Sequence, residues 1–197
     1  MKKFQLQYNV IKGINYFKNE GGIFMIDFVK TRRSCRKYSD LPVPEDKLKK
    51  VLKAGLLAPS GRSKKPWEFV VTTDSKKLEL LSNCRTKGGG FFLKDAPVAI
   101  VIAADPELTD VWTEDCSIAA SYMQLEAHSL GLATCWVQVR ERAHDENQTA
   151  EDYIKNVMGI PENYKVQCIL GLGYSNEEKD AYNDSDVVWE KVHFEKF

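Results

Sequence analysis

The chain has 197 residues, of which 43% are hydrophobic and 11% aromatic, which is ordinary for a globular protein with one sizeable core. Lysine plus arginine equals aspartate plus glutamate at 28 each, so no overall charge field indicates nucleic acid or an anionic membrane as a partner. Any anion that this protein binds must therefore be recognised by a local group of residues.

Five cysteines are scattered along the chain without a C-x-x-C pair, and their number is odd. This usage predicts reduced thiols in a cytoplasmic protein and argues against a disulfide framework or a zinc site. His144 and His193 have no metal-ligand partners at suitable spacing, so we predict no metal. No apolar run reaches the roughly 18 residues that a membrane helix needs.

Residues 1–24 are basic, but they lack the continuous apolar segment and the cleavage site of a signal peptide. Glu20, Gly21 and Gly22 can be encoded by a purine-rich stretch that resembles a bacterial ribosome-binding site, and Met25 follows shortly after. We hypothesise that translation begins at Met25, so that residues 1–24 are a mis-assigned start. The alternative is a genuine N-terminal extension, flexible or helical.

From Met25 onward, helical and strand patterns alternate irregularly, which predicts one α+β domain over residues 25–197 with a mixed central β-sheet flanked by helices. Asp74, Thr113 and Thr149 are the predicted N-caps of three of the helices. The predicted helices are 26–32, 44–58, 74–83, 113–130 and 149–158, and the predicted strands are 67–73, 96–104, 134–139 and 164–174. The aromatic, β-rich tail, 175–197, is predicted to be an arm that adds an edge strand elsewhere, including on another subunit.

The first group of chemically distinctive residues is "TRRSCRKYS" at 31–39. Arg32, Arg33, Ser34 and Arg36 place three guanidinium groups and a hydroxyl within a few residues, a combination that suits a phosphate dianion. The alternative is an ordinary solvated basic surface. Cys35 lies among these cations, which would lower the pKa of its thiol if they are close, so a reactive thiol is a second alternative.

The second group is "APSGRSKKPWEF" at 58–69, between an apolar helix and a buried strand. Pro59, Ser60 and Gly61 expose backbone amides, and Ser63 and Lys65 add further donors. A planar heteroaromatic ligand with several carbonyls needs convergent N–H and O–H donors of this kind, and such a loop could supply them.

Together these segments resemble the nitroreductase family of FMN flavoproteins. "RRSCRKYSD", "APSGRSKKPWEFVV", "DAPVAIVIA", "ASYMQLEAHSLGLATCWV" and "ILGLGYSNEEK" occur in the order seen in that family, and the resemblance covers residues 28–197. It implies an α+β nitroreductase-like fold and a homodimer whose subunits interlock through their terminal extensions. It also implies two FMN sites at the dimer interface.

The resemblance further implies which residues bind FMN. The arginine and serine cluster would bind the phosphate, the ribityl chain and the pyrimidine edge from one subunit, and the proline and serine loop would reach the same flavin from the other. A strand segment would line the dimethylbenzene and N5 side through its backbone, two glycines would allow close approach of the last strand, and one lysine would pair with the phosphate. The arginine and serine cluster is Arg32, Arg33, Ser34 and Arg36, and the proline and serine loop is Pro59, Ser60, Gly61 and Ser63. The strand segment is Trp136, Val137 and Gln138, the two glycines are Gly171 and Gly173, and the lysine is Lys179.

This chain departs from the family pattern at three places. Ser63 stands where many members have Asn, and Lys65 where they have Gln, which would alter hydrogen bonding to the flavin edge or its redox potential. After its "GY" segment, the chain has Lys179 where the family often has more than one basic residue.

By resemblance, the activity is that of an NAD(P)H-dependent FMN oxidoreductase. Hydride from NAD(P)H would reduce FMN, and a nitro compound, a quinone or a similar acceptor would then take two electrons in the same space, by a ping-pong mechanism. The chemistry occurs at FMN N5, so no catalytic side chain is required. Three alternatives are a specialised relative acting like a reductive dehalogenase or a flavin destructase, a non-catalytic FMN-binding or redox-sensing protein, and a phosphate or nucleotide module without flavin.

Overall fold

The computed structural model describes residues 25–197, together with the backbone of the two strands β1 (Gln7–Ile11) and β2 (Ile14–Lys18), which pair with each other in antiparallel fashion. Most of residues 1–24 lies outside the described part, so the hypothesis of a start at Met25 stays a prediction. The chain forms two compact units. The central unit is Ser34–Glu177, and the terminal unit combines the chain up to Arg33 with Glu178–Phe197.

Helices were predicted from the spacing of apolar residues, and each of them is present in the structure. In chain order they are α1 (Met25–Thr31), α2 (Glu45–Leu56), α3 (Ser75–Ser82), α4 (Trp112–Ser129) and α5 (Ala150–Met158). The side chain of Asp74 accepts hydrogen bonds from the amides of Lys76 and Lys77, and that of Thr149 accepts one from Asp152, so these two caps are confirmed.

The predicted cap at Thr113 is wrong. Helix α4 begins at Trp112, with Val111 in the cap position and no side-chain cap. The hydroxyl of Thr113 instead donates to Oε2 of Glu114 at 2.9 Å. Trp112 packs against the main hydrophobic core, which explains why the helix starts early without a polar cap.

A four-stranded sheet forms the middle of the central unit. Its strands are β3 (Trp67–Thr72), β4 (Val98–Ala104), β5 (Ala133–Gln138) and β6 (Lys165–Gly173), in the spatial order β3-β4-β6-β5. All neighbouring strands are antiparallel. Among the described residues, parallel pairing is limited to an isolated bridge between Ser34 and Thr134 on the outer side of β5, so the sheet itself is antiparallel and only this bridge gives it a mixed character.

Hydrophobic side chains pack on both faces of this sheet, because β4 and most of β6 are buried on both sides. On one face α4 contributes Cys116, Ala119, Ala120 and Met123 to a large cluster. On the other face α3 and α5 contribute Leu78, Leu81 and Ile154 to a second cluster.

The terminal unit contains α1 and the C-terminal tail. Lys30 in α1 forms an ion pair of 2.5 Å with Asp184, and its carbonyl accepts a hydrogen bond from the amide of Tyr182. The tail has single 3₁₀ turns at Asp184–Asp186 and Trp189–Lys191. Residues 176–197 hold no strand within this chain, so an edge strand added to a second chain stays a prediction. No helix in the described part of the chain is long and apolar enough to cross a membrane.

Candidate functional site

Strand β5 is an outer strand of the sheet, and its free side is the first element of the candidate site. The carbonyl of Thr134 accepts a hydrogen bond of 3.0 Å from the amide of Cys35, so the backbone groups of Thr134 point away from β6. Backbone direction alternates along a strand, and the N–H and C=O groups of Trp136 and Gln138 therefore face the same outer side. In the described part of the chain no other strand pairs with this edge, and the carbonyl of Trp136 has only the Cys135 thiol at 3.7 Å.

The side chains of this segment hold it in place. The indole nitrogen of Trp136 donates to Oε1 of Gln138 at 3.0 Å, and Nε2 of Gln138 donates to the carbonyl of Arg140 at 3.0 Å. Val137 points into the second core cluster and is 1% exposed. The predicted backbone-lined surface at 136–138 is therefore a rigid strand edge with unpaired polar groups.

Ser34 lies next to this edge, and Arg36 lies near the end of the sheet at which β5 begins. Ser34 forms the bridge to Thr134, and Arg36 follows two residues later with an exposed side chain. The amide of Arg36 donates to the carboxylate of Glu177 at 2.6 Å, which fixes the backbone and leaves the guanidinium group facing solvent. The structure therefore places Ser34 beside β5, two residues before the segment 136–138, and places Arg36 near the end of the sheet at which β5 begins.

Cys35 is not a reactive thiol. Its side chain is buried, and its sulfur lies 3.1 Å from the carbonyl of Lys37 and 3.3 Å from the hydroxyl of Ser175. Burial raises the pKa of the Cys35 thiol. None of the neighbouring cations predicted to lower this pKa is among the causes of the shift, which contradicts the hypothesis of a reactive thiol.

The loop that follows α2 is the second element. Pro59 is exposed, Ser60 and Gly61 are half-buried, and Ser63 and Lys65 are exposed. The amide of Lys65 donates to the hydroxyl of Ser60 at 3.0 Å, which closes the loop on itself. Donors are thus displayed on a compact turn that leads directly into β3, as the sequence indicated.

This loop has strained backbone. Arg62, Ser63 and Lys65 have φ angles of 52°, 54° and 48°, in the left-handed region that non-glycine residues rarely adopt. Each such residue costs on the order of 1 to 3 kcal/mol, and such strain is concentrated at functional sites. The surroundings must hold the loop in this shape.

The outer edge of β5 near Thr134 and the loop after α2 lie at diagonally opposite corners of the sheet. Thr134 pairs with Leu172 at one end, whereas Trp67, which follows the loop, pairs with Ala104 at the other, next to Lys165. Roughly seven strand residues separate these ends, which corresponds to about 20 Å. Strands β3 and β5 are moreover the two outer strands, so the loop and the Ser34 region of one chain do not face one another.

Gly171 and Gly173, predicted to let β6 approach a cofactor, are closely surrounded by protein. A Cβ atom on Gly173 would lie 2.6 Å from Pro97 and 2.9 Å from Tyr38, and one on Gly171 would lie 3.0 Å from Phe92. Tyr38 donates its hydroxyl proton to the carbonyl of Gly171 at 3.1 Å. Close packing of Tyr38 and Pro97 thus accounts for both glycines, and their contact with a cofactor stays a prediction.

Three predicted residues belong to the terminal unit. Arg33 donates to the carbonyl of Asp180, and its guanidinium group lies 4.4 Å from the ring centre of Tyr182. Arg32 is half-buried and Lys179 is exposed. The terminal unit is described by itself, so the roles of these three residues toward a cofactor stay predictions.

Sequence reasoning missed Asp115 and Glu177. Asp115 was assigned no role from the sequence, yet it is 2% exposed and accepts a hydrogen bond from the loop. Its spacing could have revealed this, since it lies four residues before the buried Ala119 and eight before the buried Met123. Glu177 is distant from Arg36 in sequence, and nothing in the sequence pattern indicated their contact.

Comparison with known proteins identifies the family. The profile of the nitroreductase family matches residues 29–85 and 76–174. The chain belongs to the nitroreductase family. This confirms both the resemblance and the α+β nitroreductase-like fold predicted from the sequence.

Individual relatives of the nitroreductase family match over most of their length. A protein of Archaeoglobus fulgidus with the provisional name NADH dehydrogenase/NAD(P)H nitroreductase is 37% identical over 177 residues, which is 87% of this chain and 98% of the relative. The NADH dehydrogenase of Thermus thermophilus is 40% identical over 75% of this chain and 84% of its own length. The solved structure of an FMN-dependent nitroreductase from Clostridium difficile R20291 is 60% identical, covers 88% of this chain and all of its own, and superimposes with a TM-score of 0.87.

The residues of the central unit fit FMN. A flavin ring carries hydrogen-bonding groups along one edge, and the outer side of β5 offers backbone N–H and C=O groups in a row. Ser34 beside this edge supplies a hydroxyl, and the exposed Arg36 two residues later supplies a cation, both suited to the anionic parts of the cofactor. The donor set agrees with the family assignment.

Proposed function

We propose that this chain is an FMN-dependent oxidoreductase that passes a hydride from NAD(P)H to nitro compounds, quinones or similar acceptors by a ping-pong mechanism. The observation that carries the proposal is the unpaired outer edge of β5 at Trp136 and Gln138, beside Ser34. Membership of the nitroreductase family, and relatives named NAD(P)H nitroreductase and FMN-dependent nitroreductase, support the same class.

Bound FMN would supply the two-electron chemistry, accepting a hydride at N5 and giving it up to the acceptor. The chain's own residues have binding and electrostatic roles. Backbone groups of Trp136 and Gln138 would hold the ring in a fixed orientation, because the side chains of this segment are themselves hydrogen-bonded. Arg36 would place a positive charge near the pyrimidine edge, where electron density increases on reduction. Arg32, Arg33 and Lys179 are proposed to neutralise the phosphate.

A homodimer with two shared FMN sites forms part of the proposal. Ser34 and the loop 59–65 lie at opposite corners of the sheet, so both can reach one flavin only if they come from different chains. Pro59, Ser60, Gly61 and Ser63 would then cover the flavin from the second subunit.

Each of the two units has large apolar side chains exposed to solvent, which supports a dimer. In the central unit, Leu56 and Leu57 at the end of α2 are 52% and 66% exposed. In the terminal unit, Trp189 and Phe194 are 69% and 82% exposed. Soluble monomers rarely leave so many large apolar side chains uncovered, and the interlocking arms predicted from the resemblance would cover them.

The test uses purified protein reconstituted with FMN. We expect a flavin absorption band in the blue region of the visible spectrum. This band should bleach within seconds after anaerobic addition of NADH or NADPH, and it should return when a nitro compound or a quinone is added. The preferred donor is the nucleotide that bleaches the band faster. A control without nucleotide, kept under the same light, should keep its colour.

Two results would contradict the proposal. A yellow protein that neither nucleotide reduces would indicate a non-catalytic FMN-binding or redox-sensing protein. Failure to retain FMN after reconstitution would remove the flavin assignment and favour a phosphate or nucleotide module.

A further inference from the structure

The buried carboxyl group of Asp115 raises a question that the proposed function does not answer. Asp115 is 2% exposed and lies on the face of α4 that packs against the core. Its Oδ1 accepts a hydrogen bond from the backbone amide of Gly61 at 2.8 Å. Its Oδ2 is buried and has no hydrogen-bond partner among the described residues. A buried carboxyl group with one unpartnered oxygen is costly, and it is retained only where it has a role.

The position of Asp115 suits a role in holding the loop. It lies in the first turns of α4, where the helix dipole favours negative charge. Gly61 approaches the start of this helix so closely that a Cβ atom would lie 2.6 Å from Cγ2 of Val111. Glycine at this position therefore allows the loop to reach the carboxyl group.

The loop needs such an anchor because of its backbone. Arg62, Ser63 and Lys65, directly after Gly61, all have positive φ. The contact at Gly61 comes from the neighbouring helix, whereas the bonds from Ser63 to Ser60 and from Lys64 to Gly61 lie within the loop. The ion pair between Arg62 and Asp110 is 2.5 Å long but exposed, so it contributes little. In the described part of the chain, the part-buried bond from Gly61 to Asp115 is the one polar contact of this turn with another element that is not fully exposed.

We propose that Asp115 is a positioning residue that clamps Gly61 and so holds the strained loop 60–65 in the shape that binds FMN of the second subunit. The inference rests on the proposed function for its cofactor, but not for the clamp itself. Asp115 touches neither cofactor nor substrate in this account. It acts by preventing the loop from relaxing before the flavin binds, which lowers the entropic cost of binding.

Limited trypsin digestion tests the clamp without any cofactor. The bonds after Arg62 and Lys64 are cleavable and exposed, whereas the bond after Lys65 is protected by Pro66. In Asp115→Ala, without added FMN, we expect cleavage after Arg62 and Lys64 to become at least ten-fold faster, measured by mass spectrometry of the peptides. Asp115→Asn keeps an oxygen acceptor for the Gly61 amide, and we expect it to remain within about three-fold of the wild type.

Cys116→Ala is the matched control. Cys116 is buried and is the next residue of α4 after Asp115. Its sulfur lies 3.8 Å from the carbonyl oxygen of Ala103 in β4, not against the loop. This variant should lose stability without faster cleavage in the loop. Unchanged cleavage in Asp115→Ala, or equally fast cleavage in Cys116→Ala, would overturn the clamp. If Asp115→Ala fails to fold, Asp115→Leu takes its place in the comparison, because it also removes the acceptor for the Gly61 amide but fills the buried space.

FMN titration, followed by quenching of flavin fluorescence, tests the second half of the inference. We expect Asp115→Ala to bind FMN on the order of ten-fold more weakly, and Asp115→Asn to recover most of this loss. A loosened loop with unchanged FMN affinity would overturn the positioning role while leaving the proposed function intact. If the wild type itself binds no FMN, the proposed function and this cofactor role fail together, and the trypsin result alone decides the clamp.

Discussion

Arg36 is the single side chain on which the electrostatics of the proposed site most directly depend. Its backbone amide is bound by Glu177, and the residue is exposed two positions after Ser34, which bridges to β5. We expect Arg36→Ala to retain FMN about ten-fold less well and to shift the flavin potential to more negative values, since a charge-assisted contact contributes on the order of 1.5 to 3 kcal/mol. FMN titration and a spectroscopic redox titration measure the two effects.

Lys37 gives a control of equal charge. It is the next residue and is also exposed, so Lys37→Ala removes the same charge from almost the same place. We expect only a small, salt-dependent change in this variant. Unchanged affinity and potential in Arg36→Ala would remove this arginine from the site, and equal losses in the two variants would indicate a general effect of charge.

The buried thiols make stability depend on alkaline pH. Burial raises the pKa of Cys84 to about 11 and that of Cys116 to about 12, from the ordinary value of 9.0. A group whose pKa is raised by folding contributes fully to stability below pH 9, and the contribution is lost as the pH rises toward the folded-state value. Urea unfolding of the wild type and of Cys116→Ala measures this effect. Above pH 9, we expect the free energy of unfolding of the wild type to fall by about 1.4 kcal/mol more per pH unit than that of the variant. Parallel pH profiles would contradict this.

Single residues were predictable where local sequence determines their role. Ser34 and Arg36 were predicted because hydroxyl and guanidinium groups in a short segment suit an anion, and their contact with a cofactor stays a prediction. Asp115 was missed because an acid near a helix N-terminus is already explained by capping and the helix dipole. Its helical spacing to Ala119 and Met123 indicates a buried face, but its contact with Gly61 depends on how the loop packs against α4, which no local pattern specifies.

At the scale of elements, β6 permits a test that separates packing from cofactor clearance. A Cβ atom on Gly173 would overlap Pro97, so we expect Gly173→Ala to reduce the free energy of unfolding by about 1 to 3 kcal/mol even without FMN. Urea unfolding of the FMN-free protein gives this value. If the glycine serves only to clear the cofactor, the variant would instead keep its stability and lose FMN affinity.

Gly131 is a useful reference for this comparison. It follows α4 with a φ of 74°, and a Cβ atom added to it would meet nothing within 4 Å, so Gly131→Ala introduces backbone strain without overlap. We expect that variant to lose about 1 kcal/mol. A loss in Gly173→Ala no greater than this would argue against the packing explanation.

The elements themselves were largely predictable, and their ends less so. Periodicity located α2, α4 and the buried strand β4, because each buries an apolar face along its whole length. The start of α4 was wrong because the packing of Trp112 replaces a polar cap. The tail was predicted as β-rich from its composition, but a strand forms only where an edge is available to pair with it.

At the scale of the whole molecule, the opposite corners of the sheet lead to a complementation test. One variant carries Arg36→Ala, and a second carries Ser60→Ala with Ser63→Ala. If each FMN site combines Arg36 of one chain with the loop of the other, a mixed dimer contains one site with both lesions and one intact site. We therefore expect co-expressed variants to recover about half of the FMN binding per mixed dimer, which titration of the doubly tagged species measures.

A different result is expected if each site is built within one chain. Every site of the mixed dimer would then carry one lesion, and no wild-type affinity would return. Sedimentation analysis of the wild type provides the independent control, since a monomer at working concentration would also contradict the shared site.

The order of the strands and the separation of the two candidate segments could not be predicted from the sequence. Each segment was recognisable by its own residues, but their distance depends on how β3 and β5 are placed on opposite edges. That placement is set by long-range pairing through β4 and β6, whose apolar sequences would fit several arrangements.

The open side of β5 has a consequence for solubility. An uncovered strand edge is a template on which a strand of another molecule can pair, and proteins usually protect such edges with charge or with a covering group. A flat ring hydrogen-bonded along Trp136 and Gln138 would occupy the same donors and acceptors that an incoming strand needs. Loss of the cofactor would then expose an aggregation-prone strand edge. On heating, the FMN-free protein should therefore form β-sheet-rich aggregates at a lower temperature than the FMN-bound protein.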